Sequence, residues 1–174
     1  IGDERADTLT VSTLPASHSW FHADEERIFA RLEAMSGFLD ALSRQTGRLM
    51  QLGLEPEPFG HFHDTDGAIR FFNGLRNRSR RPELIERHLG LTYDTCHFAI
   101  LREEPEFTLS AWEENNIALC KVQFSNALEC RICGEEDLER LRQFDDGVYF
   151  HQTSILHREG AMLFPDLPNA LAYG

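Results

Sequence analysis

Apolar positions along the chain alternate between two periods. From Asp24 to Gln45 they fall at Ile28, Leu32, Met35, Leu39 and Leu42, a spacing of three and four that makes one helical face. Asp24 stands where an N-cap belongs and Gly47 where a helix stops. Before this helix, "DTLTVSTLP" (Asp7 to Pro15) reads as a strand. After it, "RLMQLGLE" reads as a second strand, with the apolar run expected of a sheet buried on both faces. Asp64 to Leu75 predicts a helix with Ile69, Phe72 and Leu75 on one face, and "RPELIERHLG" adds a helical turn or two between Pro82 and Gly90. "LGLTYD" reads as a third strand, "EPEFTLSAWEEN" as a helix and "IALCKVQFS" as a fourth strand. "GEEDLERLRQFDDG" predicts a helix with Leu138, Leu141 and Phe144 inward, and "GVYFHQTS" a fifth strand. Residues 155–174 carry competing signals and two prolines, and read as an irregular tail.

Strands alternating with helices imply a parallel sheet with helices packed outside it. Two α/β architectures compete: a (β/α) barrel of the TIM type and an open doubly wound parallel sheet. A closed barrel takes eight strands and about 250 residues. This chain of 174 residues offers five strands. The expectation is one domain over residues 1–174, about five βα units of an eight-unit barrel. The rest would come from a missing N-terminal barrel half or a second chain. The chain opens on Ile1 rather than methionine, which fits an upstream part.

Composition narrows the function classes. Apolar residues are 41% and charged residues 26%, ordinary for a globular protein. No apolar run is long enough for a membrane span, and no N-terminal signal pattern is visible. The formal net charge is −12. That argues against nucleic acid as a partner, because such binding rests on Lys and Arg neutralising phosphates. The basic cluster "RNRSRR" (Arg76 to Arg81) reads as a solvated loop. Cys96, Cys120, Cys130 and Cys133 do not make a disulfide framework. The lone CxxC at Cys130 and Cys133 lacks the second pair a structural zinc needs. Reduced thiols and a cytoplasmic location are expected.

In either architecture the working face lies at the C-terminal ends of the strands, and those ends are polar here. The first ends in Ser12 and Thr13, the second in Glu55 and Glu57, the third in Asp94 with His97 three residues on. The fourth carries Gln123, Ser125 and Asn126, the fifth His151 and Gln152. Oxygen and imidazole donors converging from several strands suit a divalent metal ion, Zn, Mn or Mg. The expected ligands are Glu55, Asp94, Gln123 and His151. Glu55 and His97 are the expected catalytic pair, and His97, Ser125, Asn126 and Gln152 the expected contacts to a small-molecule metabolite. Plainer roles compete at each position. Glu55 could begin a loop, Asp94 could cap the next helix, and His97 could be an interior histidine. Gln123, an amide, is a poor ligand. His151 and Gln152 are strand neighbours that point to opposite faces, with His151 the inward one. His61 and His63 in "GHFHD" have metal-like spacing but suit a capping or solvated loop.

A glutamate at one strand end followed by D-x-x-H at the next ("DTCH", Asp94 to His97) resembles the xylose-isomerase-like TIM barrels, a superfamily of sugar isomerases, epimerases and endonuclease-IV-type enzymes. More closely, "LGLEPEP", "HLGLTYDTCHFAI", "KVQFSNALE", "YFHQTS" and "FPDLPNAL" resemble the metabolite-traffic (EboE-type) family of bacterial ebo gene clusters, which has the same barrel. The resemblance runs from the "STLP" strand onward and implies that these strands are the fourth to eighth of the barrel. It implies that Glu55 and Asp94 are acidic metal ligands, and that His97 is a ligand or a substrate contact. Gln123 stands where several branches have a ligating histidine, and the fifth strand lacks the glutamate usual there. The implied activity is either metabolite handling or metal-dependent sugar phosphate isomerisation or epimerisation. The endonuclease branch fits poorly with the acidic charge.

Overall fold

The computed structural model describes residues 7–14, 16–158 and 160–173. Its centre is a parallel sheet of four strands, β1 (Thr8–Thr13), β2 (Leu49–Leu54), β3 (Leu89–Asp94) and β4 (Ala118–Gln123), bonded in the order β1-β2-β3-β4. The connections carry α1 (Glu25–Thr46), α2 (Thr65–Arg78), α3 (Pro82–His88), α4 (Thr95–Leu101) and α5 (Pro105–Glu114). Then follow α6 (Glu135–Arg142), an antiparallel hairpin of β5 (Thr153–His157) and β6 (Gly160–Phe164), and α7 (Leu167–Tyr173). No helix among the described residues is long and apolar enough to cross a membrane.

The predicted caps of α1 are in place, whereas α3 stops at His88 and Gly90, read as its end, lies in β3. The Asp24 carboxylate accepts from the Glu26 and Arg27 amides at the start of α1, and Gly47, at φ +71°, ends it. Glu25 and Glu26 in the first turn suit the positive end of the helix dipole. Alternation along β3 then decides the layers. Leu89, Leu91 and Tyr93 are buried against Phe29 of α1, Phe72 of α2, Ile85 of α3, Phe98 of α4 and Trp112 of α5. Each large apolar side chain buried this way contributes about 1.5–3 kcal/mol.

The opposite face is built around two glycines. A Cβ on Gly53 would sit 2.5 Å from Thr92 Oγ1, and one on Gly90 would sit 2.3 Å from the Ala118 carbonyl oxygen. With no side chains there, and a register shift between Leu91 and Thr92, the sheet curls inward. The two edge strands come close enough that Lys121 Nζ on β4 donates to Ser12 Oγ on β1 at 2.9 Å. Cys120, on this inner face, has its thiol pushed up to about 11 by burial.

The α/β class therefore holds, as a curled half-barrel. A doubly wound sheet would reverse its strand order once, and the order here is sequential. Among the described residues the sheet has four strands rather than five. Asp146 accepts from the Val148 and Tyr149 amides at 2.9 and 3.2 Å, and Gly147 takes φ +66°. The turn takes the amides that a strand would give to a ladder, so "GVYFHQTS" does not join the sheet, and Val148, Tyr149 and Phe150 are exposed. The expected irregular tail is instead ordered into the hairpin and α7. Pro168 falls in the first turn of α7, where a missing N–H costs nothing, and Asp166 accepts from Leu167 N at 2.9 Å. With no fifth strand beside β4, the predicted inward face of α6 has nothing to pack on. Leu138 and Leu141 are partly exposed and Phe144 is exposed. The helix α4 has no counterpart in the sequence reading.

Candidate functional site at the carboxyl end of the sheet

Asp94 is both the last residue of β3 and the N-cap of α4. Its Oδ1 accepts from the Cys96 amide at 3.0 Å and from the Ser125 hydroxyl. Its Oδ2 accepts from Gln123 Nε2 at 2.8 Å. The turn after β4 is tied to α4 by Ser125 N donating to Thr95 Oγ1 at 2.8 Å and Thr95 Oγ1 donating to the Ser125 carbonyl at 2.6 Å. The cap sends Cys96 and His97 into the first helical turn. Ligand atoms of Asp94, Cys96 and His97 lie within 4.8 Å of one another.

Glu55 follows β2 on the same rim, its amide extending the ladder to the Thr13 carbonyl at 2.9 Å. Its Oε1 lies 3.5 Å from His97 Nδ1. That same Nδ1 faces the Pro56 carbonyl at 3.3 Å. A carbonyl only accepts, so Nδ1 is the donor here, and Nε2 is the ring nitrogen left for an ion. This is the arrangement in which a carboxylate orients an imidazole for a metal ion.

The electrostatics differ between the two acids. Burial pushes Glu55 above its ordinary value, and the charges of Asp94 and Glu57 add to it against His97 and Gln123. Burial also works to raise Asp94, but hydrogen bonds from Ser125, Cys96 and Gln123 outweigh it and leave Asp94 lowered. The Cys96 thiol is raised, first by burial and then by the negative charges of Asp94 and Glu55. A partly buried group of acids with one imidazole is short of positive charge. The donor set of one carboxylate, one thiol and one imidazole fits a borderline ion such as Zn²⁺ better than oxygen-seeking Mg²⁺. Asp94, Cys96 and His97 are the residues that would hold it.

The rim thus brings together five residues expected from sequence: Glu55, Asp94, His97, Gln123 and Ser125. Gln123 is held as a donor, since its Oε1 accepts from Lys121 Nζ at 2.7 Å. Asn126 is exposed beside Ser125. His151 lies apart from the ligand group, its amide donating to Asp166 Oδ1 at 2.8 Å and its Nδ1 3.8 Å from the same oxygen. Gln152 reaches the loop after β2, donating to Glu57 Oε1 at 2.9 Å and to the Pro58 carbonyl at 3.0 Å. Both depart from expectation because their segment is not a strand of the sheet. His61 and His63 line a separate cleft of about 310 Å³ with Glu25, Asp64 and Arg70. Sequence reasoning missed Cys96, although it sits inside the "DTCH" motif, and Lys121, although it is the one lysine beside sixteen arginines.

Fold and site together define an α/β half-barrel with a candidate metal centre at the carboxyl ends of its strands. No protein-family model and no curated protein matches the chain.

Proposed function

We propose that this chain handles a small hydroxylated metabolite at the strand-end rim, through a divalent ion held by Asp94, Cys96 and His97. The supporting observation is the convergence of those ligand atoms within 4.8 Å, with Glu55 behind His97. A bound ion would polarise hydroxyl or carbonyl oxygens of the ligand. The protein's own part is to hold His97 by Glu55 and Asp94 by Ser125 and Gln123. The role agrees with the metabolite-traffic proteins that the sequence resembles.

A second reading, a metal-dependent sugar isomerase or epimerase, draws on Glu55. A carboxyl raised by burial is a stronger base than an ordinary glutamate and is suited to accept and return a proton. Glu55 would take a proton from the carbon next to a carbonyl and return it to the neighbouring position.

Calorimetric titration with Zn²⁺, Mn²⁺ and Mg²⁺ tests the first reading. Zn²⁺ is expected to bind tightest, and Asp94→Asn and Cys96→Ser to weaken it. Affinity equal in wild type and both variants, or absent from all three, overturns it. Incubating the Zn²⁺-loaded protein with dihydroxyacetone in D₂O tests the second. Deuterium uptake lost in Glu55→Gln supports an isomerase, and no uptake leaves the handling role alone.

A further inference from the structure

Lys121 is the only lysine in a chain with sixteen arginines and an acidic excess of twelve charges. It lies on the inner face of the curl, paired in register with Thr92, and is an exposed residue. Its two hydrogen-bond partners are both neutral: Ser12 Oγ at 2.9 Å and Gln123 Oε1 at 2.7 Å. Arg44, Arg76, Arg78, Arg102, Arg140 and Arg142 each face a carboxylate. Among the described residues Lys121 forms no such pair; arginines such as Arg27, Arg31, Arg48 and Arg70 form none either, but Lys121 differs from them in being tied through Gln123 to the strand-end group. Carboxylates are abundant here, and a lone cation facing only a hydroxyl and an amide leaves its charge for something else.

Two features aim that charge at the candidate site. The first is the amide of Gln123, which receives Lys121 on one side and holds Asp94 Oδ2 at 2.8 Å on the other. The ammonium therefore sits one side chain away from the Asp94, Cys96 and His97 group. The second is the curl itself: with no side chain on Gly53, Thr92 Oγ1 and Cys120 come in over β2, and Lys121 reaches Ser12 on β1. An ammonium has three N–H donors, and the third is available to a ligand resting on the inner face.

We propose that Lys121 anchors an anionic oxygen group of the metabolite, a phosphate or a carboxylate, while the hydroxyl-bearing part of that molecule meets the strand-end group. This rests on the metabolite-handling reading and narrows its ligand from any small hydroxylated metabolite to a hydroxylated phosphate or acid. A purely structural tie between β1 and β4 would use the same Ser12 contact but would show no response to anions.

Because the chain has one lysine, protein labelled with ¹³C-lysine gives one unambiguous side-chain Cε signal. Inorganic phosphate and acetate are titrated against it at constant ionic strength, with EDTA present, and glycerol serves as the neutral control. The expected result is a saturable shift with one of the two anions, at a Kd of about the low millimolar range, and none with glycerol. Whichever anion saturates identifies the group. Lys121→Arg is expected to keep anion binding, read by amide shifts of Thr92 and Gln123, and Lys121→Gln to lose it by about tenfold or more. Linear drift with both anions, or the same response in Lys121→Gln, overturns the proposal. Since EDTA is present, a saturable shift in a protein that fails to bind Zn²⁺ would sink the metal reading and keep the anion anchor. Zn²⁺ binding without the shift would do the reverse.

Discussion

Gln123 donates from Nε2 to Asp94 Oδ2 at 2.8 Å while its Oε1 receives Lys121 Nζ at 2.7 Å. The lysine fixes which way the amide faces, and the amide fixes a carboxylate of the candidate metal group. Replacing Gln123 by Met keeps the size and removes both bonds. Partners that orient metal ligands are typically worth 10–100-fold in metal affinity. Gln123→Met is thus expected to weaken Zn²⁺ binding by about that factor, measured by competition with a chromophoric chelator, with an unchanged circular dichroism spectrum. Wild-type affinity in the variant would show that Asp94 needs no help from the amide.

The curl of the sheet makes its own prediction. A Cβ on Gly90 meets backbone, the Ala118 carbonyl oxygen, which cannot swing away. On Gly134, ahead of α6, nothing lies within 4 Å. Gly90→Ala should therefore destabilise the protein by about 1–3 kcal/mol, as overpacking does. Gly134→Ala, which loses only a favourable N-cap residue of α6, should cost less, under about 1 kcal/mol. Urea unfolding of both variants decides it, and equal midpoints would mean that close approach of β3 and β4 is not needed.

Much of this was readable from sequence, and the failures have causes. The four strands of the sheet and the helices α1, α2, α3, α5 and α6 follow from apolar spacing and caps, because each buries a face or is closed by a local signal. Asp94 answers two readings at once: it caps α4 and orders the rim. The fifth strand failed because "GVYF" looks like a strand by composition, whereas the Asp146 turn before it removes its amides from pairing. The hairpin was legible in principle, as two apolar runs, "SIL" and "AML", flank Gly160 at φ +134°. Lys121 was not singled out because its significance comes from what lies across the sheet, which spacing along the chain does not encode; Cys96 was passed over inside a motif whose Asp94 and His97 already carried the metal reading.

Asp40 of α1 supplies a pH prediction away from the rim. Partial burial pushes its carboxyl up, but Arg44, at 2.5 Å, and His88, at 3.5 Å, outweigh this and hold it below 3.8. A carboxyl lowered on folding contributes stability that is present above its unfolded value and lost as pH falls through the folded one. Asp40→Asn should therefore cost stability at pH 7, and the difference from wild type should shrink in acid, as pH falls through the range where Asp40 protonates even in the folded protein. Urea midpoints at neutral pH and in acid are the check. A difference that stays constant would mean that packing, not charge, is what Asp40 supplies.

The last prediction concerns the sheet's outer flank. Among the described residues both β1 and β4 are edge strands, bonded on one side only. Their helix-side residues are uncovered: Val11 is 65% exposed, Leu9 39%, Leu119 44% and Val122 39%, and Phe124 just beyond β4 is 92% exposed. Open edges flanked by apolar side chains favour pairing with another chain. The net charge of −12 opposes this by repulsion, and that repulsion weakens as salt shortens the screening length. The chain of 20.0 kDa is therefore expected to associate in sedimentation velocity runs, more strongly at about 0.5 M than at about 0.05 M salt. The double variant Val11→Thr, Phe124→Ser should move it back toward monomer at either concentration. A wild-type monomer that ignores both protein and salt concentration would show that the uncovered flank is tolerated as it stands, and that no second chain is needed to complete the sheet.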